Sequence, residues 1–455
     1  MMKTVLSLFV VVLAAGCSLR EPIAPDSARA GIECEFDAGS ARLPDKWWQA
    51  MGDDELSATI EQALEGNFSL HAAVARIEQA RQAARQSGAA MLPNVNYSFD
   101  ASRARTSSLF GPSYGNTLRG SLVAGYELDL WKRVNSARNA ALFEQEATAQ
   151  DYVSAKLSVS AEIAQLWYAM RANMLKKQVL TEQLKVNEQS LELITGRFNS
   201  GKSVSSDVLS QKRLVEAVRG SLIRNKGEFE SLQHALCVLL GKTPGDCPMP
   251  QALPLAELPE QPVVPAEFIS RRPDLAAALS RIRAQDRLVA VALAGKYPTL
   301  TLSATVYGTG DSTDDIFDDW FGSLASGLTG PLFDAGYRDA EYELNKALLN
   351  EALAGYKQAV VNAYKEVAEA LSAEKYGLAY AGSVAGQLEL ARAVTKSVKQ
   401  QYINGQLGYI YILNALETEQ NLELSEIVAR LECVQARIDL CRAIAGGWNE
   451  EQITE

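Results

Sequence analysis

The sequence is poor in histidine and has no surplus of basic residues. Of its 455 residues only 2 are histidine, and 44 Lys and Arg stand against 55 Asp and Glu, for a formal net charge of −11. These numbers disfavour a histidine-rich metal site and the basic face that a nucleic-acid partner requires. His71 and His234 are isolated, and no acid–base pair follows from residue spacing. We therefore predict no enzyme, no cofactor, no metal and no nucleic-acid partner.

Proline is missing from two long windows. None occurs in the 131 residues between Pro112 and Pro244, or in the 124 residues after Pro331. An interior proline costs a helix about 3 kcal/mol, so long helices avoid it. Apolar residues in both windows are spaced by 4 and 3, as in heptads: Val159, Ile163, Leu166 and Met170, then Val360, Tyr364, Val367 and Leu371. We expect long helices there, the first with about 60 residues, roughly 90 Å if continuous.

Apolar runs that could cross a membrane as a helix are also missing, since no segment reaches 18 consecutive apolar residues. The run Val5–Ala15 is too short to span a bilayer. Lys3 precedes it and small residues lead into Cys17, a pattern that resembles a bacterial lipoprotein signal. We predict a signal peptide over 1–16, lipidation of Cys17, and delivery to the outer membrane because Ser18 follows. The alternative is an ordinary secretory signal cut near Ala15.

Five further cysteines lie in a chain that we expect to be exported, where disulfides form. Cys433 and Cys441 are eight positions apart on one helix, about 12 Å along its axis, which is too far to pair. Cys34, Cys237 and Cys247 are better candidates. The spacing of Cys237 and Cys247 fits a disulfide or two free thiols.

The chain matches itself at a shift of about 205 residues. Leu130-Trp131 corresponds to Leu332-Phe333, and Leu209 to Leu413. Each half has the same order of a helix, a pair of alternating strands, a long helix, a turn and a second helix, so one module is duplicated. In the first half we expect one helix over Leu56–Ala90 and a hairpin loop over Leu109–Asn116.

These patterns divide the chain into six parts. They are a signal peptide (1–16), a lipidated N-terminal extension (17–55), a first repeat (56–243, with strands at about 93–130 and helices to 243), a Pro-rich linker (244–270), a second repeat (271–448, with strands at about 297–334 and helices to 446) and a C-terminal tail (449–455). The fold class is mainly α, with strands in each repeat.

The segment Gly196–Ser203 has the spacing of a phosphate-binding loop. That loop needs a strand before it and a helix after it, whereas a heptad helix precedes this one. The second repeat lacks the lysine but keeps the glycine as Gly405. We interpret Gly201 and Gly405 as turn residues between helices. The aspartate-rich loop Thr309–Asp319 lacks the EF-hand spacing and is interpreted as a solvated loop.

Five motifs together resemble the TolC/OprM outer-membrane efflux factors, especially the lipoprotein branch that contains OprM and CusC. The motifs are Tyr126–Trp131, Arg271–Asp274, Pro331–Gly336, Tyr364–Leu371 and Gly446–Trp448. The resemblance covers nearly the whole chain from Cys17 to Trp448.

The resemblance implies a homotrimer, lipid-anchored in the outer membrane of a Gram-negative cell and extending into the periplasm. Four strands per chain would close a twelve-stranded membrane β-barrel, continued by a periplasmic α-helical barrel. The function it implies is a passive exit duct for small molecules, coupled through a periplasmic adaptor to an inner-membrane pump.

The resemblance also implies site residues. In OprM-like members an apolar residue and an Asp of the second repeat line the periplasmic aperture. Ile410 takes the apolar place, Asn414 stands where the family usually has Asp, and Glu417 where it often has Arg. We hypothesise that Ile410 and Asp207 form the closed constriction; alternatively, Asp207 only caps its helix. The expected adaptor-contact turns contain Gly201, Lys202, Gly405 and Gln406.

A second function is a lipid-anchored periplasmic coiled-coil structural or adaptor protein without a pore. The alternating strands discriminate between the two, because such a protein has no use for them.

Overall fold

The computed structural model describes residues 46–108, 111–245, 247–250, 262, 264 and 268–444. In chain order the elements are a 3-10 turn (Trp47–Met51), α1 (Asp54–Gly66), α2 (Phe68–Ala89), β1 (Asn94–Ser108), β2 (Gly111–Leu128), α3 (Arg133–Asn199), α4 (Ser205–Leu239), α5 (Phe268–Arg271), α6 (Pro273–Ala294), β3 (Thr299–Gly310), α7 (Asp315–Asp318), β4 (Trp320–Thr329), α8 (Tyr337–Ile403) and α9 (Tyr409–Ile444). Among these helices, none is long and apolar enough to cross a membrane.

The described residues belong to two units. The sheet unit comprises those within 75–150 and 275–358, and the helical unit those within 46–74, 151–274 and 359–444. The two proline-free windows contain α3 and α8, each 67 residues long, followed by α4 and α9. Both long helices therefore form where proline is absent.

The sheet unit contains one antiparallel four-stranded sheet in the order β1-β2-β3-β4. Strands β1 and β2 pair from Asn94↔Gly125 to Ser108↔Gly111. Strands β2 and β3 pair over residues 118–128 and 300–310, and β3 and β4 over 299–308 and 320–329. Within the described chain, β1 and β4 are the edge strands.

The expected hairpin loop over Leu109–Asn116 is wrong. Strand β2 already begins at Gly111 and pairs with β1 from Gly111 to Gly125. Pairing with β3 starts only at Leu118, so residues 111–117 have one free edge. Proline is tolerated at such an edge, which explains how Pro112 is part of the strand.

Both junctions from a strand to a long helix use an aspartate in the same way. The Asp129 carboxylate accepts a hydrogen bond from the N–H of Val134 at 3.0 Å. The Asp334 carboxylate accepts one from the N–H of Arg338 at 3.3 Å. Each aspartate satisfies an N–H group that the first helical turn leaves free.

The helical unit has a core built around tryptophans. Trp47 and Trp48 are completely buried. The indole N–H of Trp47 donates to Ser160 Oγ at 3.0 Å, and that of Trp167 to Asp53 Oδ2 at 3.2 Å. These bonds satisfy the polar ends of large side chains that the core would otherwise leave unpaired.

The prediction of a single helix over Leu56–Ala90 is wrong, because the helix is interrupted at Asn67. Its backbone has ψ 119°, so α1 ends there. Its side-chain oxygen accepts from the N–H of Ser69 at 2.8 Å, and its amide donates to Leu239 O at 2.8 Å. One asparagine therefore caps α2 and ties it to the end of α4.

The cysteines of the helical unit divide into a pair and two free thiols. Cys237 and Cys247 form a disulfide, with their Cα atoms 5.5 Å apart, which resolves the alternative that their spacing left open. Cys433 and Cys441 are free and buried, as their separation along one helix predicts. Burial raises the pKa of the Cys441 thiol to about 12, so this thiol stays protonated at neutral pH. Cys17 and Cys34 lie outside the described residues.

Candidate functional site

The first repeat ends α3 in a glycine turn. Gly201 has φ +68°, and its N–H donates to Phe198 O at 2.9 Å. The N–H of Lys202 donates to Arg197 O at 2.8 Å. This pair of bonds is a Schellman motif, which places a residue with positive φ after the helix end. Both Gly201 and Lys202 are exposed.

The second repeat ends α8 in the same turn. Gly405 has φ +75°, and its N–H donates to Tyr402 O at 3.0 Å. The N–H of Gln406 donates to Gln401 O at 2.9 Å, and Gly405 and Gln406 are both exposed. The four residues predicted to contact an adaptor thus occupy two equivalent turns. We call residues 191–214 the first tip and residues 398–417 the second tip.

The segment Gly196–Ser203 has the sequence spacing of a phosphate-binding loop but not its structure. Gly196 lies inside α3, so no strand precedes the glycine turn. Among the described residues, no group of three or more His, Cys, Asp or Glu could hold a metal ion. The turn is therefore a helix terminus, as the sequence interpretation of Gly201 and Gly405 predicts.

The two tips share one apolar core. It contains Ile194, Val208, Leu214, Tyr409, Ile412, Leu413 and Leu416. Inside it, Gln211 is fully buried, accepts a hydrogen bond from the Tyr409 hydroxyl at 2.9 Å and donates to Asn187 O at 2.9 Å. Burial, with Tyr402 and Asp207 nearby, raises the pKa of Tyr409 to about 12. The neutral phenol is thus held in a fully hydrogen-bonded network.

Three predicted aperture residues lie on a different face of α9 from this core. Ile410, Asn414 and Glu417 are spaced by 4 and 3, so they share one helix face. Ile410 is 50% exposed and Asn414 is also exposed, whereas Ile412 and Leu413 beside them are buried. This face presents an apolar group, an amide and a carboxylate.

The fourth predicted aperture residue, Asp207, is half-buried in the first turn of α4. Its Oδ2 accepts a hydrogen bond from Ser203 Oγ at 2.7 Å. The N-cap of α4 is Val204, which supplies no side-chain cap, so Asp207 is not the cap residue. A carboxylate in the first turn still interacts favourably with the helix dipole. Asp207 therefore supports the turn locally and keeps one face towards solvent.

One charged residue of the tips escaped the sequence prediction. Arg213 of α4 lies 3.4 Å from Glu417 of α9, and both side chains are partly exposed. The shift that aligns Leu209 with Leu413 also aligns Arg213 with Glu417, so this pair could have been found from the duplication. The carboxylate at 417 thus faces a cation from the other repeat of the same chain.

The sheet has one apolar face and one polar face, because side chains alternate along each strand. The apolar face contains Val95, Tyr97, Phe99, Leu118, Leu122, Ala124, Tyr126, Leu128, Leu300, Leu302, Ala304, Val306, Trp320, Leu324 and Leu328. Towards the β1–β2 hairpin the same face carries Arg103, Arg105, Tyr114 and Asn116. The polar face contains Asn94, Asn96, Ser98, Asp100, Thr117, Arg119, Ser121, Glu127, Thr301, Ser303, Thr305, Tyr307, Thr309, Phe321 and Ser323. Most large side chains of the apolar face are exposed, including Tyr97 at 85% and Leu324 at 83%.

A family model described as "Outer membrane efflux protein" matches residues 59–242 and 264–446 of the chain. The pyoverdine export outer membrane protein OpmQ of Pseudomonas putida is 32% identical over 444 residues, which cover 93% of this chain and 93% of that protein. Outer membrane protein OprJ of Pseudomonas aeruginosa is 30% identical over 424 residues, covering 89% of this chain and 86% of OprJ.

Solved structures have the same fold. The CmeC outer membrane channel of Campylobacter jejuni matches with a TM-score of 0.86 at 21% identity, over 95% of this chain and 96% of CmeC. The duplicated helix–hairpin–helix arrangement predicted from the sequence is thus a fold already seen in outer-membrane channels.

Proposed function

Because this chain belongs to the outer membrane efflux protein family, we propose that it is the passive exit duct of a tripartite efflux system. The observation that carries the proposal is the sheet, which exposes an apolar face on one side and a polar face on the other. Such a sheet suits lipid on one side and water on the other. The duct performs no catalytic step and needs no cofactor.

The size of the apolar face supports a membrane location. From Leu118 to Leu128 the face extends over ten residue steps of β2. At about 3.3 Å per residue and a strand tilt of about 40°, this length corresponds to a band about 25 Å tall. That height matches the apolar band of an outer-membrane protein.

The sheet edges support a homotrimer. Strands β1 and β4 each have an unpaired edge in the described chain, and an exposed edge favours pairing with another chain. Three copies, each joining β4 to β1 of the next, close twelve strands with the polar faces inward. The helical units then form the periplasmic part of the duct.

The periplasmic aperture of this duct consists of Asp207, Ile410, Asn414 and Glu417 from three copies. Ile410 supplies the apolar constriction, and Asp207 a ring of three carboxylates. The contact between Arg213 and Glu417 supports a gate whose charges pair within one chain. Such a pair leaves Ile410 and Asp207 as the groups that meet around the axis.

The turns at the tips are the docking points for the periplasmic adaptor, which links the duct to an inner-membrane pump. Exposure of Gly201, Lys202, Gly405 and Gln406 in two equivalent turns supports this assignment. Three copies present six such turns. Lipidation of Cys17 anchors each copy to the outer membrane, which fits the exported, membrane-bound location.

The cargo is a small molecule that the pump and adaptor deliver. Relatives of this chain are named for the export of pyoverdine and toluene.

The test has three measurements, two on purified protein and one in cells. Purified protein is examined for trimers by native mass spectrometry and for pores in planar bilayers, and the gene is tested for restoring dye efflux in an efflux-deficient strain that carries a matching adaptor and pump. We expect a trimer, a discrete conductance and restored efflux. A monomer that is water-soluble after lipid removal and forms no pores would instead favour the coiled-coil adaptor.

A further inference from the structure

Four large side chains form a row across the polar face of the sheet, one from each strand. They are Asp100 of β1, Arg119 of β2, Tyr307 of β3 and Phe321 of β4. Asp100 is directly opposite Arg119 in the register, and Tyr307 is directly opposite Phe321. Arg119 and Tyr307 are diagonal neighbours on β2 and β3. We call these four residues the lumen row.

The members of the lumen row contact one another. The Arg119 guanidinium carbon lies 4.3 Å from the centroid of the Tyr307 ring, within the range of a cation–π interaction. The rings of Tyr307 and Phe321 stack at 5.2 Å between centroids with an interplanar angle of 22°. Phe321 is 50% exposed, so part of the ring remains open to a ligand.

The rest of the polar face is built from small side chains. Apart from the lumen row and Glu127 at the other end of β2, its described residues are Ser, Thr, Asn, Gly, Ala and one Val. Glu127 is paired with Arg133 at 2.6 Å. Apart from the level of Glu127, the lumen row is therefore the only level at which the described polar face carries charged or aromatic side chains.

Packing between strands alone does not account for the charges of the lumen row. Cross-strand aromatic pairs stabilise a sheet, which explains Tyr307 and Phe321. Arg119, however, leans over Tyr307 although a carboxylate stands opposite it on β1. Asp100 instead accepts a hydrogen bond from Ser98 Oγ at 3.3 Å, and both charged side chains are exposed. Arg119 thus keeps N–H donors available beside an aromatic surface.

We propose that the lumen row is a transient binding site for planar aromatic anions as they leave through the duct. The aromatic ring of such a ligand stacks beside Phe321 and Tyr307, and its acidic group accepts hydrogen bonds from Arg119. This inference rests on the proposed function, because the trimer turns three copies of the row into a ring around the lumen. Asp100, directly opposite Arg119, repels the bound anion, which keeps the occupancy short.

The experiment is single-channel recording of the purified trimer with three probes of defined chemistry. The probes are 2-naphthoate, which is aromatic and anionic, cyclohexanecarboxylate, which is only anionic, and 2-naphthol, which is aromatic and neutral at pH 7. We expect 2-naphthoate to cause brief current blocks at concentrations at which the other two have no effect.

Two variants of the lumen row and one control locate the block. Arg119→Gln removes the charged hydrogen-bond donor. Phe321→Leu replaces the aromatic ring with an aliphatic side chain of similar volume. Each is expected to raise the half-blocking concentration of 2-naphthoate about tenfold, which is the typical effect of one hydrogen bond to a charged group for Arg119→Gln and of one aromatic pair for Phe321→Leu. Arg105→Gln removes the same charge from the apolar face and is expected to leave the block unchanged.

The outcomes separate this inference from the function on which it rests. Equal block by 2-naphthoate and cyclohexanecarboxylate, or an unchanged block in both lumen-row variants, would overturn the site while the duct stands. A loss of block in the Arg105→Gln control would also overturn it, because the effect would then follow net charge. Absence of any conductance in the unmodified protein would overturn the proposed duct and the site together.

Discussion

The two tips have the same backbone and different side chains. Gly201 and Gly405 both adopt a positive φ, and the residue after each one closes the same bond to the end of its long helix. After the turns, the first tip has Asp207 and Arg213 on α4, whereas the second tip has Ile410, Asn414 and Glu417 on α9. One turn geometry thus supports two surfaces with different chemistry.

The difference shows which part of the duplicated module is constrained by its backbone conformation. A positive φ strains any residue with a side chain, so the glycine stays in both copies. The helix faces after the turn carry no such requirement and can diverge. The first repeat supplies Gln211 of the buried network and the charges of Asp207 and Arg213. The second supplies Tyr409 of that network, the Glu417 carboxylate and the apolar group of the aperture, Ile410.

The largest effect is expected at Gln211, the buried amide inside the shared core. Gln211→Ala removes the hydrogen-bond partner of both Tyr409 and Asn187. It leaves the phenol hydroxyl buried without a hydrogen bond, at a cost of about 2–3 kcal/mol. Hydrogen exchange of peptides from the first tip should accelerate about 30- to 150-fold. The control is the corresponding residue of the second repeat, Ala415, where Ala415→Ser should cost at most about 0.7 kcal/mol. Equal acceleration of exchange in Gln211→Ala and Ala415→Ser would contradict the proposed difference between the two tips.

The next effect tests the shared turn. Gly201→Ala and Gly405→Ala should each destabilise the local turn by about 1–2 kcal/mol, the cost of a positive φ for a residue with a Cβ. No atom lies within 4 Å of a Cβ built at either glycine, so the cost is conformational and should be equal in the two tips. Proteolysis at the turns measures it.

Gly408 provides a matched control for the turn variants. It lies near the start of α9, it also has open space around it, and it does not adopt a positive φ. Gly408→Ala should therefore leave the rate of cleavage nearly unchanged. A rate as high as that of Gly405→Ala would show that the turns do not depend on the glycine conformation.

A smaller effect is expected at the pair that links the tips. Glu417→Arg places two cations beside each other, but both side chains are partly exposed, so the change in stability should remain within about 1 kcal/mol. The swapped variant with Arg213→Glu and Glu417→Arg should recover most of it. A double-mutant cycle on the thermal midpoint measures the coupling, and additive changes would rule the contact out.

The smallest effect at neutral pH concerns Tyr409. The pKa of this phenol is raised to about 12, mainly by burial, whereas an unfolded tyrosine titrates near 10. The neutral phenol therefore stabilises the fold fully below about pH 10, and this contribution is lost as the pH rises from about 10 to 12. The fall of the thermal midpoint over this range should be shallower in Tyr409→Phe. An identical fall in the variant would show that the pKa of this phenol is not raised above its unfolded value by folding.

The sequence predicted features that follow from local chemistry. The glycine turns were predictable because a positive φ after a helix favours glycine, and the long helices because proline is absent. The length of β2 was not, since Gly111, Pro112 and Gly115 are typical of a loop and only the register shows that they lie in a strand. The break at Asn67 depends on a bond to Leu239, 172 positions away along the chain. Long-range pairing of this kind leaves no local signal.

Prediction of the site from the sequence was likewise incomplete where residues meet through long-range contacts. Ile410, Asn414 and Glu417 came from the family resemblance, and the structure places them on one helix face. Arg213 was missed because its partner is in the other repeat, although the shift between the repeats aligns the two positions. The lumen row was missed because its four members are on four different strands and meet only through the register.

The central claim is that this chain forms a duct whose periplasmic end is closed by Ile410 and Asp207. The most direct measurement is the single-channel conductance of the variant with both Ile410→Ala and Asp207→Ala, compared with the unmodified trimer and with Ile223→Ala, an exposed isoleucine on α4. We expect the double variant to conduct severalfold more than the unmodified protein and Ile223→Ala to match it. A conductance unchanged in the double variant would contradict the account.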